Sequence, residues 1–364
     1  MRESFLAVCR LLGDAASGRT PDLEALPEEE ALLAFVDAHR IGTLVSTALR
    51  QSGDTRFSSL HAAADRAAFH QFKNDLLTAK LPETLKQRGI RALPLKGAAI
   101  AAVYPDGWIR QASDADFFVP PAQLPSAVSV LKAEGFVVAS EADGETALHK
   151  SPRTAVELHT TLGGHTDRQQ KALARLSERE FTLTEHYVYT LFHLYKHFLR
   201  GGAGVKMFFD LYVLSRAELD RAAADAWLDE AGLAAFDRAV QTVCGILFDG
   251  KDASDAMAEV VDVVLFGGAF GTVTLHNAMK YTTRPLTNAR RFRMFLTDYR
   301  FDKASMQERY PVLKTHRWLY PVCAGHRVVR GVLFKRRVLT HDVKQKHAAD
   351  RRTIARVLKT MHIV

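Results

Sequence analysis

The sequence predicts an α+β fold in which a small mixed β-sheet lies between two helical regions. Apolar residues recur at three- and four-residue spacing up to about residue 89, short apolar strands alternate with helices from 90 to 165, and helical spacing then returns. With 364 residues, 47% of them hydrophobic, the chain can bury a sizeable core. The expected units are an N-terminal helical region 1–89, a mixed core 90–165, a C-terminal helical domain 166–326 and a basic helical tail 327–364.

The N-terminal region is predicted to be helical throughout. The stretches "ALLAFVDAHRIGTLVSTALR" and "LHAAADRAAFHQFKNDLLTAKLPETLKQRG" both carry apolar residues at helical spacing. The second stretch is expected to end at Gly89, because glycine is a common helix terminator.

The pattern changes from residue 90 onwards. "IRALPL" and the alternating "DADFFV" predict strands, whereas "GAAIAAVY" and "PAQLPSAVSVLKAEG" predict helices, the second closed by Gly135. "FVVAS", "TALHKS" and "TAVELHT" predict three more strands, because turn-prone residues separate them. A small mixed sheet with one or two helices on a face is the expected core.

Helices are predicted again after Gly163-Gly164. Thr182 and Glu185 have the spacing of a capping box ahead of "HYVYTLFHLYKHFLR", which Gly201-Gly202 should end. Further helices are expected over residues 205–217 and in "AADAWLDEAG".

The charge balance favours anionic partners without naming one. The net charge is +8, and residues 327–359 contain eleven Lys or Arg against Asp342 and Asp350. RNA or an anionic membrane surface is a candidate partner for this tail, although a solvated helix face is the commoner interpretation of such a run.

A reducing cytoplasm is the expected location. Cys9, Cys244 and Cys323 are odd in number and match no zinc or redox spacing. The first residues lack the apolar core of a signal peptide, and no apolar window is long enough to cross a bilayer.

Three acids form the first candidate site. Asp114 and Asp116 are two residues apart on a predicted strand, so their side chains point to the same side. Two neighbouring carboxylates repel each other unless a cation lies between them, and Mg²⁺ is the expected cation. Glu157 lies in the middle of "TAVELHT", and a strand beside "DADFFV" would bring it to the same pair. Three acids can hold two ions, one activating a hydroxyl and one neutralising a leaving pyrophosphate.

Lys96, Gly97 and Arg110 provide the complementary charges. A strand that ends before Gly97 and gives way to a helix directs free N–H groups at any phosphate beyond the strand, and glycine allows close approach. Lys96 adds a point charge, and Arg110, four residues before Asp114, could bind phosphate with its fork.

The order "LKG", "R-x-x-S-D-x-D" and "VELH" resembles the uncharacterised nucleotidyltransferase family of the DNA polymerase β superfamily. Asp114, Asp116 and Glu157 match the three acids of the superfamily, and Gly97 matches its glycine. Ala98 stands where the wider superfamily has a serine, and the lysine before the glycine fits this particular branch.

The resemblance implies transfer of a nucleoside monophosphate from an NTP, with ATP expected, to a hydroxyl acceptor with release of pyrophosphate. Asp114, Asp116 and Glu157 would be both the catalytic residues and the ligands of Mg²⁺, with Mn²⁺ as the alternative ion. The acceptor is expected between the sheet and the C-terminal helices, with "FGGAFGT" and the basic tail as walls. The residues implied in nucleotide binding are Lys96, Gly97, Ala98, Arg110, Ser113, His193, Lys196 and His197.

The helical residues in this set have an alternative interpretation. His193, Lys196 and His197 fall on one helical face and could bind the triphosphate or form a polar stripe facing solvent. Lys206 and Asp210, four residues apart, are expected to form an ordinary surface ion pair.

Two other functions remain open from the sequence. His193, His197 and Asp210 could be ligands of a hydrolytic metal centre, although the glutamate of H-E-x-x-H is absent. A non-catalytic nucleotide- or RNA-binding protein with a degenerate nucleotidyltransferase fold is the second alternative. The acceptor and the oligomeric state are not predicted.

Overall fold

A computed structural model of the chain describes residues 1–104, 106–112, 114–142, 144–151, 154–176, 180–269, 306, 310–326 and 352–363. Residues 1–272 and 357–363 form one compact unit, which contains every labelled element below. Residues 273–356 and 364 form a second unit, whose described parts are short 3-10 turns, a helix over 320–326 and the start of a helix over 352–360.

The N-terminal region is helical, as predicted. Its helices are α1 (Arg2–Ser17), α2 (Glu29–His39), α3 (Gly42–Gln51), α4 (Ser58–Thr78) and α5 (Leu81–Lys86). α1, α2 and α3 bury mainly apolar residues, whereas α4 buries Gln71, Asn74 and Thr78 in its second half and exposes Phe69 and Phe72 there. α1 also packs on a C-terminal helix, α12 (Ala234–Asp249). Gly13 permits this approach, because a Cβ there would collide with the backbone of Phe248.

The described residues contain one mixed sheet, at the place the sequence predicts. Its strands are β1 (Leu93–Pro94), β2 (Ala115–Phe118), β3 (Val137–Ala142), β4 (Glu145–Ser151) and β5 (Thr154–His159). The spatial order is β1-β2-β5-β4-β3, with β2 and β5 parallel and the other neighbours antiparallel.

Strand alternation separates a buried face of the sheet from a polar one. Phe117 on β2 and Val156 and Leu158 on β5 pack into a core with α5 and with α7 (Leu124–Ala133). Because successive side chains point to opposite faces, Asp116 and Glu157 lie on the other face.

The first strand and helix of the core are shorter than predicted. Only Leu93–Pro94 of "IRALPL" pairs as a strand, and "GAAIAAVY" forms the four-residue helix α6 (Ala98–Ala101) before a 3-10 turn at Gly107–Ile109.

The helices that follow the sheet are α8 (Asp167–Leu176), α9 (Leu183–Arg200), α10 (Val205–Leu214), α11 (Arg221–Ala231), α12 and α13 (Asp255–Gly267). The capping box is confirmed, since Thr182 Oγ1 accepts from the Glu185 N–H and the Glu185 side chain accepts from the Thr182 N–H. Gly201 ends α9 with a φ of 155°. No helix in the described ranges is long and apolar enough to span a bilayer, and the three cysteines are free.

Candidate active site

A cavity of about 1040 Å³ opens on the polar face of the sheet, within the first compact unit. Its walls come from β2, β4, β5, the turn before α6, and helices α9 and α10. Helices α2, α3 and α4 close another side with mostly small or apolar residues. The sequence did not predict this contribution from the N-terminal region. Of the expected acceptor walls, Ala269 lines the cavity, whereas residues 270–272 and 327–351 lie outside the described residues.

The three predicted acids meet at this cavity. Asp116 and Glu157 are directly paired across the parallel strands β2 and β5, so their side chains leave the same face of the sheet side by side. Asp114 immediately precedes β2, and its carboxyl group lies close enough to that of Glu157 for the charge of Asp114 to raise the pKa of Glu157. The prediction that Glu157 lies on a strand next to the aspartate pair is therefore confirmed.

Asp116 is the deeply buried member of the trio. Its Oδ1 atom lies 3.0 Å from Lys96 Nζ and 2.9 Å from His159 Nε2, and its side chain is 4% exposed. Burial alone would raise the pKa of Asp116, but the Lys96 charge and the His159 hydrogen bond hold it below its usual value. Asp116 is thus a carboxylate at neutral pH.

Asp114 and Glu157 are placed so close together that both are hard to ionise. Burial, followed by the neighbouring Asp114 and Asp116 carboxylates, raises the pKa of Glu157 to about 8. Burial and the Asp116 charge also raise the pKa of Asp114. Such crowding of hard oxygen donors suits Mg²⁺ or Mn²⁺, because a divalent ion replaces the repulsion between the carboxylates by attraction. The donor set therefore fits the ion that the fold family implies.

Lys96 and Gly97 border the acids, as predicted. Gly97 has a φ of 58°, in the left-handed region, and among the described residues no atom lies within 4 Å of the position of a Cβ there. Backbone and cavity therefore meet without an intervening side chain, which permits close approach of a ligand. Burial would lower the pKa of Lys96, but Asp116 raises it above its usual value, so the side chain is charged.

Ala98 and Ser113 complete the predicted segment. Ala98 is the first residue of α6, and only its backbone is described. Ser113 lies outside the described residues, so its role stays a prediction.

Arg110 lines the cavity, but its fork is bound within the protein. Nε and Nη2 of Arg110 donate to the two carboxylate oxygens of Asp210 at 2.7 and 2.9 Å, and the Tyr104 hydroxyl donates to Asp210 at 2.8 Å. The pair is 6% and 5% exposed. Burial would raise the pKa of Asp210, but Arg110 holds it below its usual value, so this is a buried pair of full charges.

The prediction of a surface ion pair between Lys206 and Asp210 is wrong. Asp210 is buried and already binds Arg110 and Tyr104, and it makes no ion pair with Lys206 within the described ranges. Lys206 instead lines the cavity. Burial and the nearby Arg110 charge lower the pKa of Lys206 to about 7. The helical spacing of the two residues suggested a pair, but the sequence did not show that Arg110 would take the same carboxylate.

We expect Lys206→Met to stabilise the ligand-free protein and to weaken binding of a polyanion. The pKa of Lys206 is about 10.5 in the unfolded chain and about 7 in the folded one. Folding therefore disfavours the charged ammonium, so Lys206 lowers the stability of the protein below pH 10.5, and most at pH 7 or lower. Arg110, Arg40, Asp114 and Asp210 are the charged groups that act on its ammonium.

Thermal unfolding at pH 7.5 and 10 tests the expected gain in stability, with the exposed Lys171→Met as the matched control. Titration with ATP and Mg²⁺ at pH 7.5 and 9 tests the expected loss of polyanion binding. As the pH rises, the affinity of the wild type should fall more steeply than that of the variant. The difference can reach about tenfold per pH unit, which is the limit when binding takes up one proton. Equal pH slopes in the two proteins would contradict the expectation.

The face of α9 that carries His193, Lys196 and His197 lines the cavity. The Nε2 atoms of His193 and His197 are 3.0 Å apart. Burial and the Lys96 charge hold the pKa of His193 well below its usual value, so this imidazole is neutral at pH 7. The face is thus positioned to meet a ligand of the cavity rather than bulk solvent alone.

The structure gives no support to a hydrolytic centre built from His193, His197 and Asp210. In the described part of the chain, the grouping of metal-ligating side chains is Asp116, Glu157 and His159, whose ligand atoms all lie within 4.8 Å of one another. Asp210 is bound by Arg110 and Tyr104 instead.

His159 and Glu145 are cavity residues that the sequence reasoning missed, as was Lys206. His159 lies two residues after Glu157 on β5, so the strand periodicity that selected Glu157 places His159 on the same face. Glu145 is paired with His159 across β4 and β5, a register that only the structure reveals.

The comparison with protein families gives one match, over residues 27–249, to the family described as "Uncharacterised nucleotidyltransferase". This range contains the whole sheet, helices α2 to α12 and all the acids and cations of the cavity described above. No curated protein and no solved structure matches the chain. Since the family match covers more than half of the chain and agrees with the resemblance of its motifs, this protein belongs to the uncharacterised nucleotidyltransferase family.

Proposed function

We propose that the protein transfers a nucleoside monophosphate from an NTP, with ATP as the expected donor, to a hydroxyl acceptor, in a reaction that depends on Mg²⁺ or Mn²⁺. The observation that carries this proposal is the meeting of Asp114, Asp116 and Glu157 on one face of the sheet, beside Lys96 and Gly97.

The three acids would hold the divalent ion, which when bound neutralises charge on the triphosphate and favours ionisation of the attacking hydroxyl. The acceptor oxygen forms a bond to the α-phosphorus, and the bond from that phosphorus to the bridging oxygen breaks. Pyrophosphate then leaves with the bonding electrons. Glu157, whose side chain is more exposed than that of Asp116 and which a bound ion would keep ionised, would take the proton of the acceptor hydroxyl.

Positive side chains around the cavity would orient the triphosphate. Lys96 and the Gly97 backbone border the acids, and Lys206 brings an ammonium from α10 that no carboxylate of the described residues binds. Arg110 would contribute its charge while bound to Asp210. His193, Lys196 and His197 would meet the nucleotide from α9. Positioning and charge neutralisation are the main sources of rate in this kind of chemistry.

Calorimetric titration with each of the four NTPs in the presence of Mg²⁺ tests the site. We expect Asp114→Asn/Asp116→Asn to weaken metal-dependent binding by about tenfold or more, since ligands to the ion are lost. The exposed Asp252→Asn is the control for a change of net charge. Metal-dependent binding that survives the double substitution unchanged would refute the proposed site.

A second experiment asks what the acceptor is. Incubation with α-labelled NTP and a cell extract, followed by separation of RNA, protein and small molecules, shows where the label goes. Label in a product of the wild type but not of the double variant supports transfer. Binding without any transfer would favour the non-catalytic nucleotide- or RNA-binding alternative.

Two broader expectations belong to the same proposal. A reducing cytoplasm is consistent with three free cysteines. An anionic partner at the basic tail rests on its eleven Lys or Arg alone, because residues 327–351 lie outside the described ranges.

A further inference from the structure

His159 brings an imidazole nitrogen into the group of carboxylates. Its Nε2 atom lies 2.9 Å from Asp116 Oδ1 and 3.6 Å from Glu157 Oε2, and its side chain is 10% exposed. These separations are those of neighbouring ligands on a common ion, because metal–ligand bonds of about 2.1 Å at right angles put ligand atoms about 3 Å apart.

The other nitrogen of the ring faces a further carboxylate. His159 Nδ1 lies 3.7 Å from Glu145 Oε2, and the two residues are directly paired across β4 and β5. Histidine ligands typically direct their second ring nitrogen to a carboxylate, which fixes the tautomer and leaves the first nitrogen to the metal. Glu145 is correctly placed for this supporting role once the ring moves by less than 1 Å towards it.

Lys96 accounts for the charge balance when no ion is bound. Its ammonium lies 3.0 Å from the same Asp116 oxygen that contacts His159. An arriving divalent ion would take over this oxygen, so Lys96 would be released for the phosphates of the nucleotide. The imidazole, by contrast, stays at the ion, because β5 fixes it beside Glu157.

We propose that His159 Nε2 is a direct ligand of the divalent ion, together with Asp116 and Glu157, so that the site contains nitrogen as well as oxygen donors. The inference rests on the proposed function and goes beyond it, since the family resemblance implies only the acids Asp114, Asp116 and Glu157 as ligands of the ion. A nitrogen ligand favours Mn²⁺ over Mg²⁺, because Mg²⁺ prefers oxygen donors throughout.

Pulsed EPR of the protein with bound Mn²⁺ tests the assignment directly. We expect a ¹⁴N hyperfine coupling that changes to a ¹⁵N coupling when the protein is made with ¹⁵N-labelled histidine. His159→Gln should remove the coupling, whereas His149→Gln, at an exposed histidine of the neighbouring strand, should leave it unchanged. If the His159 variant does not fold, His193→Gln and His197→Gln, which change the other histidines of the cavity, should each leave the histidine coupling unchanged, and its loss in either variant would contradict the assignment to His159.

Cation preference gives a second readout that a positioning role would not alter. His159→Asn keeps a hydrogen-bond donor for Asp116 but offers the ion an oxygen instead of a nitrogen. We expect the ratio of the Mg²⁺ to the Mn²⁺ dissociation constant to fall about tenfold in this variant. This is the usual size of the change in metal affinity when a group around the ion is replaced. An unchanged ratio, or bound Mn²⁺ without a histidine coupling, overturns the ligand assignment and leaves the proposed function standing. Failure of the wild type to bind Mn²⁺ or Mg²⁺ at all overturns both.

Discussion

Glu157→Gln is expected to abolish nucleotidyl transfer and, at the same time, to make the ion-free protein more stable to heat. Burial and the neighbouring Asp114 and Asp116 carboxylates raise the pKa of Glu157 to about 8, so at neutral pH the ion-free folded protein must keep on Glu157 a proton that the unfolded chain releases above pH about 4.5. An amide at residue 157 is neutral without this proton uptake and can donate to Asp114. The same change removes a ligand of the ion and the group that would take the hydroxyl proton.

The two effects are measured on one pair of proteins. We expect transfer of α-labelled NTP to fall by about 100-fold or more, the usual scale for loss of one group that acts in the transition state. Unfolding in EDTA at pH 7.5 should occur at a higher temperature, by about 1–2 °C for each kcal/mol of stability gained. Glu141→Gln, an exposed glutamate on β3, is the control for both measurements. A variant that is inactive because it is less stable would contradict the assignment of Glu157 to the site.

The acids of the site could be predicted because they depend on local rules. Alternation along a strand puts Asp114 and Asp116 on one side, and the same rule applied to "TAVELHT" selects Glu157. The remaining step was the assumption that β2 and β5 are neighbours, which the sheet order confirms. The family motif supplied that assumption, since periodicity alone does not tell which strands pair.

His159 shows where local reasoning stopped too early. It satisfies the same alternation rule as Glu157, yet a histidine at the end of a strand has many ordinary roles, so the pattern alone did not select it. His159 is significant because the register between β4 and β5 places Glu145 beside its ring, and because the buried Asp116 carboxylate contacts its Nε2 atom. Neither fact can be read from spacing along the chain.

The walls of the cavity were the least predictable part. Helices α2, α3 and α4 form one side of it, although their sequences carry only the amphipathic pattern of packed helices. Which of their residues face the cavity depends on the tertiary packing of the helices, which helical periodicity does not determine. The boundary between a helical region 1–89 and a core 90–165 stays a prediction, since both contribute to the same compact unit.

Arg110 and Asp210 are separated by a hundred positions in the sequence, and their contact predicts the largest loss of stability. Asp210→Asn should lower the free energy of unfolding by about 3–5 kcal/mol, because it leaves the buried Arg110 guanidinium without a counter-charge and the Tyr104 hydroxyl without its charged acceptor. The sequence suggested instead that Arg110 binds phosphate, because the residue lies four positions before Asp114 and its distant partner is invisible in a local pattern.

Urea unfolding of Asp210→Asn and of Asp65→Asn shows whether the stability of an Arg–Asp pair depends on its burial or on its hydrogen-bond geometry. Asp65 accepts a fork from Arg50 at 2.7 and 2.9 Å, much as Asp210 does from Arg110, but the Arg50–Asp65 pair is exposed. Its loss should cost less than about 1 kcal/mol. Removing both charges, in Arg110→Met/Asp210→Leu, should restore much of the stability lost in Asp210→Asn, because the isolated buried charge is the source of the cost. Equal losses at the buried and the exposed pair, or a double variant less stable than Asp210→Asn, would show that the pair does not carry the stability assigned to it.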